Sequence, residues 1–478
     1  MFADLRSGTG MGSLPPERGM GEGDDGSSAD RIFKAGFFIS LVFIAFVAGA
    51  IMTTAGVTPG PQISDAYLGG KALYDRATTT QNLYLTDLWY PERRSDKGVT
   101  VNDAARTEQG LTLYTSGDDA VARLIAMDGT VVHEWRRPYS SVWHEGAAVK
   151  RPQPDAFVYF RKAIAYPNGD LLVVYEGAGD TPYGYGVAKL DKDSNVLWSY
   201  LGNAHHDIDV GPDGRIYVIT HEFVDKKLDG FDNFKQPRLD DFLVILSPDG
   251  KEEKKIPLIQ AMARSEFRQM LYTVSAFAVS DPLHTNNVDY ITAEEAANFP
   301  YAKEGQLLVS FRELGAVAVL DPDEETITWA KRSDWLGQHD PDILPNGDLI
   351  LFDNFGNYER ANARSRVIEV NPRTSEIVWE YGGTPEAPLD SMIRSAQQRL
   401  KNGNTLITES SGGRLLEVTR EGDIVWEYIN PVRAETLAGE TVPRLSILCW
   451  GQRLPPDYFD ASFTSSLQAT SQTGKKTI

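Results

Sequence analysis

The sequence predicts an all-β protein: a six-bladed β-propeller with an N-terminal transmembrane helix and a short inserted helix. Two observations carry this. A phrase of short strands around a glycine turn recurs six times after residue 108, and no charged residue occurs from Ala35 to Pro59. A third supports them: outer strands of the repeats end near a tryptophan, at Trp135, Trp198, Trp329, Trp379 and Trp426.

Taken in chain order, residues 1–31 are rich in Gly, Ser, Asp and Glu. Such a segment buries too little apolar surface to offset its ordering entropy, so it is expected to be a disordered tail. Residues 32–57 follow as a membrane anchor, with the uncharged stretch 35–57 long enough to cross a bilayer as a helix. It is longer than a signal-peptide core and starts more than thirty residues into the chain, which favours an uncleaved anchor. Arg31 and Lys34 flank its start, whereas the first positive charges beyond it are Lys71 and Arg76. The positive-inside rule then leaves the tail in the cytoplasm and the main domain on the periplasmic, extracytoplasmic side. Residues 58–107 read as a linker, 108–460 as the propeller and 461–478 as a flexible C-terminal tail.

The repeat is clearest in LPNGDLILFDN with SRVIEVNPRTSEIVWEYGG, in LKNGNTLITES with GRLLEVTREGDIVWEYINP, and in YPNGDLLVVYE with GVAKLDKDSNVLWSY. Its turn glycines are Gly110, Gly169, Gly214, Gly305, Gly347 and Gly403. Asn-Gly and Asp-Gly supply the positive φ that tight hairpins need. Four short strands per unit, repeated radially, make propeller blades. Between Gly214 and Gly305, LIQAMARSEFRQMLYTVSAF places Ile259, Met262, Met270, Val274 and Phe277 near one helical face, predicting the inserted helix. Residues 444–450 are expected to supply the last strands, closing the ring against the first blade.

Composition narrows the function. With 67 acidic against 47 basic residues the net charge is −20, a balance that repels phosphate backbones and excludes nucleic acid as a partner. The single cysteine, Cys449, cannot form an internal disulfide, and no zinc-binding Cys/His pattern occurs. There is no Walker A sequence, no Gly-x-Gly-x-x-Gly after a strand and no Gly-x-Ser-x-Gly elbow, so no cofactor is expected.

The positive signal lies in the histidines. His206 stands eight residues before Gly214 and His339 eight before Gly347; the same offset gives Arg161 before Gly169 and Ser395 before Gly403. His284, in DPLHTNNVDYI, begins the matching strand of the fourth repeat. The first strand of each blade lines the central channel, so equal offsets put these side chains at equal depth. Seven residues after the glycines come His221, Arg312 and Asn354, which hairpin pairing sets near His206, His284 and His339 respectively. His133 and His144 fit no such pattern and are expected to be structural, like the tryptophans. Imidazole serves as nucleophile, acid, base or metal ligand. Arg312 favours an anionic substrate, because a guanidinium forks onto oxyanions. Three neutral imidazoles also suit a catalytic zinc, which keeps a metal-dependent propeller lyase open as an alternative. A non-catalytic scaffold binding an envelope protein partner is another.

The stretches HHDI, DPLHTNNV, LLVSFRELGAVAVLD, QHDPDILPNGDLILFDN and NGNTLITES, in this order, resemble the PAPS-independent bacterial arylsulfotransferases over residues 108–460. The resemblance implies a six-bladed propeller that is periplasmic or exported. It implies transfer of a sulfuryl group from a phenolic sulfate ester to a phenol, by a ping-pong route through a sulfohistidine. Matched residue by residue, it makes His339 the nucleophile. It gives His284 and Arg312 the grip on the sulfuryl group, and makes His206 a further catalytic imidazole of the pocket. By position, His221, Asn354, Arg161 and Ser395 are expected to bind substrate. One departure stands out: SFRE puts Glu313 after the arginine where a small polar residue is expected.

Overall fold

The computed structural model describes residues 25–60, 62–64, 66–67, 82–357 and 364–474. Most of the tail expected to be disordered, residues 1–24, lies outside them, as do residues 475–478. The chain divides into two compact units, Met1–Ala77 and Thr78–Ile478.

The first unit contains an apolar helix, Asp25–Thr54. Its stretch Asp30–Thr54 is long and apolar enough to cross a membrane, and a signal sequence would have the same character. Apolar residues occupy every face, so no side suits water. Near its end, the hydroxyls of Thr53 and Thr54 donate to the carbonyls of Gly49 and Ala50, both at 2.9 Å, and so hide their polarity.

The second unit is the six-bladed propeller, each blade an antiparallel sheet of four strands, with a fifth added to blade 6. The innermost strands are Leu448–Leu454 (blade 1), Val158–Ala165 (blade 2), Ala204–Val210 (blade 3), Thr285–Tyr290 (blade 4), His339–Ile343 (blade 5) and Ala396–Arg399 (blade 6). Ring closure therefore comes from the C-terminal side: Leu448–Leu454 pairs with Leu111–Ser116, the second strand of blade 1. Residues 444–446 instead pair with Trp89–Pro91. Gly98–Asn102 supplies the fifth strand of blade 6, so part of the segment expected as a linker is built into the propeller. From Ala461 the chain forms a helix to Gly474, where a flexible tail was expected, and Phe463 is buried against Trp135 and the Gly169 turn.

The inserted helix is shorter than its periodicity predicts. It ends at Arg264, and a 3-10 segment follows at Arg268–Thr273. The break lies at Ser265, whose hydroxyl donates to the Met262 carbonyl and accepts from the Phe267 N–H, offering the backbone a turn in place of the helix. Ile259, Met262 and Val274 are buried as expected, but Phe277 is 98% exposed. A second short helix, Ala293–Asn298, follows a capping box of Thr292 and Glu295.

Two devices join neighbouring blades. On the outside, the indole N–H of Trp135 donates to the Gly169 carbonyl, that of Trp379 to Arg420 and that of Trp426 to Met127, each reaching a turn of the next blade. Trp198 covers the Gly250 turn of blade 3, whereas Trp329 stacks on Tyr301 of its own blade. Around the axis, the free edge of each innermost strand carries N–H groups that need acceptors. Asp207 accepts from Val288 N–H at 3.0 Å, Asp209 from Tyr290 at 2.7 Å and Asp340 from Gln397 at 2.8 Å. Side-chain carboxylates thus tie blade 3 to blade 4 and blade 5 to blade 6.

The tryptophan clasp yields an expected outcome. Trp135→Phe forfeits one buried hydrogen bond and should cost about 1 kcal/mol, whereas Trp135→Ala also opens a cavity and should cost about 3–5 kcal/mol. Denaturant unfolding reads both; equal costs would show that the indole bond and the packing do not act as described.

Candidate active site

A register irregularity at the start of the innermost strand builds the site. Blades 1, 2, 4 and 5 each carry one extra residue there, between Leu448 and Trp450, Phe160 and Lys162, Thr285 and Asn287, and His339 and Asp342. Blade 3 carries two, between Ala204 and Ile208. A bulge bends its strand and re-aims a side chain. His206, within its bulge, and His284, just ahead of its own, hold φ of 53° and 46°. The His206 ring centre lies 5.1 Å from that of His284 and 6.3 Å from that of His339, so the three imidazoles converge.

His339 is held in one tautomer. Its Nδ1 is 3.0 Å from the Gly337 carbonyl and 2.8 Å from Asn354 Oδ1. The Asn354 amide nitrogen donates to the carbonyls of Ser391 and Arg394, which fixes the oxygen as the atom facing His339. Both neighbours of Nδ1 only accept, so Nδ1 carries the proton and Nε2 presents its lone pair. Burial, then the charges of Arg312 and Arg161, push the His339 pKa well below the usual histidine value, against the opposing Asn354 bond. The ring is a neutral base with Nε2 unpartnered.

His284 is the reverse. Burial works against its charge, but Nδ1 donates to Asp281 Oδ2 at 2.6 Å, and that bond with the Asp281 charge outweighs burial and raises its pKa. An imidazolium thus stands beside two neutral imidazoles, since His206 is pushed well below its usual value by burial and by the neighbouring cations and histidines.

His206 is backed by residues that the turn-offset rule did not select. Its Nδ1 is 2.8 Å from Nδ1 of His205, and its backbone N–H donates to Glu176 at 2.7 Å. Tyr183, in the loop after the second strand of blade 2, sets its ring 5.4 Å from His205, 5.4 Å from His206 and 4.6 Å from His221. His221 does not rim the pocket beside His206: it is fully buried, stacks on His205 at 4.2 Å and accepts the Gly184 N–H at Nε2. The two-residue bulge sets Asn203 opposite His221 in the hairpin, and the His221 ring packs on His205 rather than on His206.

Arg312 donates to Glu313 while its charge bears on both His339 and His284. Arg161 is buried, donates to the Cys449 carbonyl at 2.8 Å, and bears on both His206 and His339. Ser395 exchanges hydrogen bonds with Ser410 across its own hairpin and makes no contact with the imidazoles. Below the histidines, Lys162 pairs with Asp207 amid Asp209, Asp289, Asp340 and Asp342. Burial raises the Asp340 pKa to about 6, against the opposing Lys162 charge.

Two groups of described residues bring metal-ligand atoms together, Glu176–His205–His206 and His205–His221–Asp241. The trio His206, His284 and His339 is not among them. In the second group the Gly184 N–H occupies His221 Nε2, which leaves the proton on Nδ1, the atom a metal would need. In the first group His205 Nδ1 is engaged by His206, whereas in the second His205 Nε2 stands 3.5 Å from Asp241 Oδ1 and neither atom has a hydrogen-bond partner among the described residues.

Residues 162–431 match the family described as Arylsulfotransferase (ASST). No curated protein matches the chain. Among solved structures, a protein of unknown function from Bacteroides caccae is similar with a TM-score of 0.42 and 14% identity, covering 67% of this chain and 94% of that one. A virginiamycin B lyase from Staphylococcus aureus gives 0.37 at 14% identity, covering 75% and 97%. The WD40 propeller domain of Doa1 gives 0.37 at 10%, covering 76% and 96%.

The opposite shifts predict a pH signature. His284 binds its proton more tightly folded than unfolded, so it adds stability that is full below about pH 6.5 and lost as pH rises through its raised pKa. For His206, His221 and His339 the sign reverses: their contribution is present above about pH 6.5 and lost on acidification. Asp281→Asn should therefore destabilise the protein most below about pH 6.5, with the difference shrinking toward alkaline pH. A difference independent of pH in unfolding curves would contradict the dyad.

Proposed function

The chain belongs to the arylsulfotransferase family, and on that premise we propose that it moves a sulfuryl group from a phenolic sulfate ester to a phenol through a sulfated His339. The observation that carries the reading is the pairing of a neutral His339, its proton held on Nδ1 and Nε2 open, with the cationic His284 close by.

In the first half-reaction the Nε2 lone pair of His339 attacks sulfur. The N–S bond forms as the ester S–O bond breaks, and the electron pair leaves on the phenolic oxygen. His284 and Arg312 hold the sulfuryl oxygens, as donors preorganised for the charge of the transition state. Asn354 keeps the attacking tautomer in place and spreads the positive charge of the sulfated ring through its carbonyl. In the second half-reaction an acceptor phenol oxygen attacks the same sulfur from the vacated side, and the N–S electrons return to Nε2. The departing phenolate gains the proton that the acceptor loses, so the cycle is proton-neutral. His206 and Tyr183 wall the pocket, and an aromatic ring suits that lining. The helix Asp30–Thr54 serves in this reading as an uncleaved anchor, with the propeller on the periplasmic side.

With 4-nitrophenyl sulfate and phenol, nitrophenol should be released, and peptide mapping should find sulfate on His339. His339→Asn should retain less than about one-thousandth of the rate, as expected for loss of a nucleophile. Sulfate on another residue would sink the assignment. The donor half-reaction should also hold its rate past about pH 6.5 and slow only as pH rises through the raised pKa of His284, with no acidic limb near about 6.5 because His339 is already neutral there. A bell centred near neutrality would contradict these protonation states.

A further inference from the structure

Five arginines are buried among the described residues: Arg161, Arg238, Arg394, Arg414 and Arg453. Four have a carboxylate partner. Arg238 pairs with Asp240, Arg394 with Asp87, Arg414 with Glu409 and Glu427, and Arg453 with Glu417. Arg161, 5% exposed, has none within 4 Å among the described residues. Its Nη1 donates to the Cys449 carbonyl at 2.8 Å, and its Nε has no partner. Asp340 feels its charge from a distance, without an ion pair between them, and one Asp340 oxygen accepts the Gln397 N–H. A buried guanidinium without a counter-charge is costly, and an anion arriving beside it recovers that cost. Arg312 is different, since Glu313 already answers its charge.

Position says which anion. Six blades surround the axis in sequence order, so blade 2, which carries Arg161, faces blade 5, which carries His339. Both residues lie at bulges near the same end of their innermost strands. Displacement at sulfur runs in line, with the ester oxygen departing on the side opposite the attacking nitrogen. From blade 5 that side is blade 2. Arg312 and His284 belong to blade 4, beside the nucleophile, where they meet the sulfuryl oxygens instead.

We infer that Arg161 binds the phenolic oxygen itself, stabilising the negative charge on it as the donor ester breaks and as the acceptor attacks. The inference rests on the transfer reaction proposed above. Arg161 forms hydrogen bonds to the oxygen and gives up no proton, because a guanidinium stays charged. The S–O bonding pair passes to the phenolic oxygen in the first half-reaction and returns from the acceptor oxygen in the second, with the same guanidinium serving both.

The test is the dependence of the donor half-reaction on the acidity of the leaving phenol, using 4-nitrophenyl, 4-chlorophenyl and 4-methylphenyl sulfates. Arg161→Gln should slow 4-nitrophenyl sulfate by about 10-fold and 4-methylphenyl sulfate by about 100- to 1000-fold, the range lost when an oxyanion donor is removed. Arg312→Gln should slow all three by a similar factor. Arg161→Lys should fall between the parent and Arg161→Gln, still steepening the series because an ammonium lacks the fork; it carries the test if the glutamine variant does not fold. A parallel loss across the series for both Arg161 variants would overturn the inference, as would no loss at all. A parent protein inert toward every aryl sulfate would instead overturn the transfer reaction and this role with it.

Discussion

The site depends on extra residues inserted near one end of the innermost strands. A regular strand alternates its side chains, so at any depth only one residue per blade faces the axis. The bulges in blades 2, 3 and 5 break that alternation where Arg161, His206 and His339 stand, and in blade 4 the bulge follows directly after His284, whose ring meets that of His206. Blade 6 pairs without a shift, and its Ser395 is spent on its own hairpin. Blade 1 carries the shift too, and what it contributes there is a backbone group, the Cys449 carbonyl that accepts from Arg161.

Those bulges strain the backbone and bury polar groups, so the surroundings must over-determine them. The Glu176 carboxylate receives the His206 N–H, and Asp241 receives the Thr285 N–H next to His284 at 2.6 Å. Each is an acceptor from one blade reaching the bulged strand of the next. The aspartates deeper in the channel do the same for unpaired edge N–H groups. The acids around the axis are thus the mortar between blades, and the cations above them are the working groups.

Much of this was legible before any coordinates. Asn-Gly and Asp-Gly turns locate hairpins because few other residues tolerate their φ, so counting from them puts His206 and His339 at one depth and sets Asn354 against His339, while His284 follows from the matching strand start of its repeat. Counting failed where register slipped. Two extra residues in blade 3 set Asn203 across from His221, whose ring is buried against His205, the neighbour of a residue already singled out. Tyr183, Asp281 and Asp241 lie in loops or other strands whose approach no periodicity encodes. The helical spacing through Ile259–Phe277 was real in its first turns, but a single serine hydroxyl ended it. The glutamate of SFRE, a departure visible in the letters alone, proved informative once Arg312 was seen to spend part of its charge on it.

The electrostatics then separate two scales. At long range the protein carries −20 and repels an anionic ester. That repulsion decays over a Debye length of about 8 Å at physiological salt, whereas a buried charge is screened much less. Attraction must therefore come from cations inside the mouth, and it is strongest for one not already neutralised by a neighbour. Glu313 tempers Arg312 and Asp281 tempers His284, whereas Arg161 has no carboxylate paired with it among the described residues. Tempering suits groups that hold the sulfuryl oxygens in every state of the cycle, because excessive grip there would stabilise the bound ester as much as the transition state. An untempered guanidinium suits the oxygen whose charge rises only as its bond breaks, since interaction gained there is gained in the transition state rather than before it.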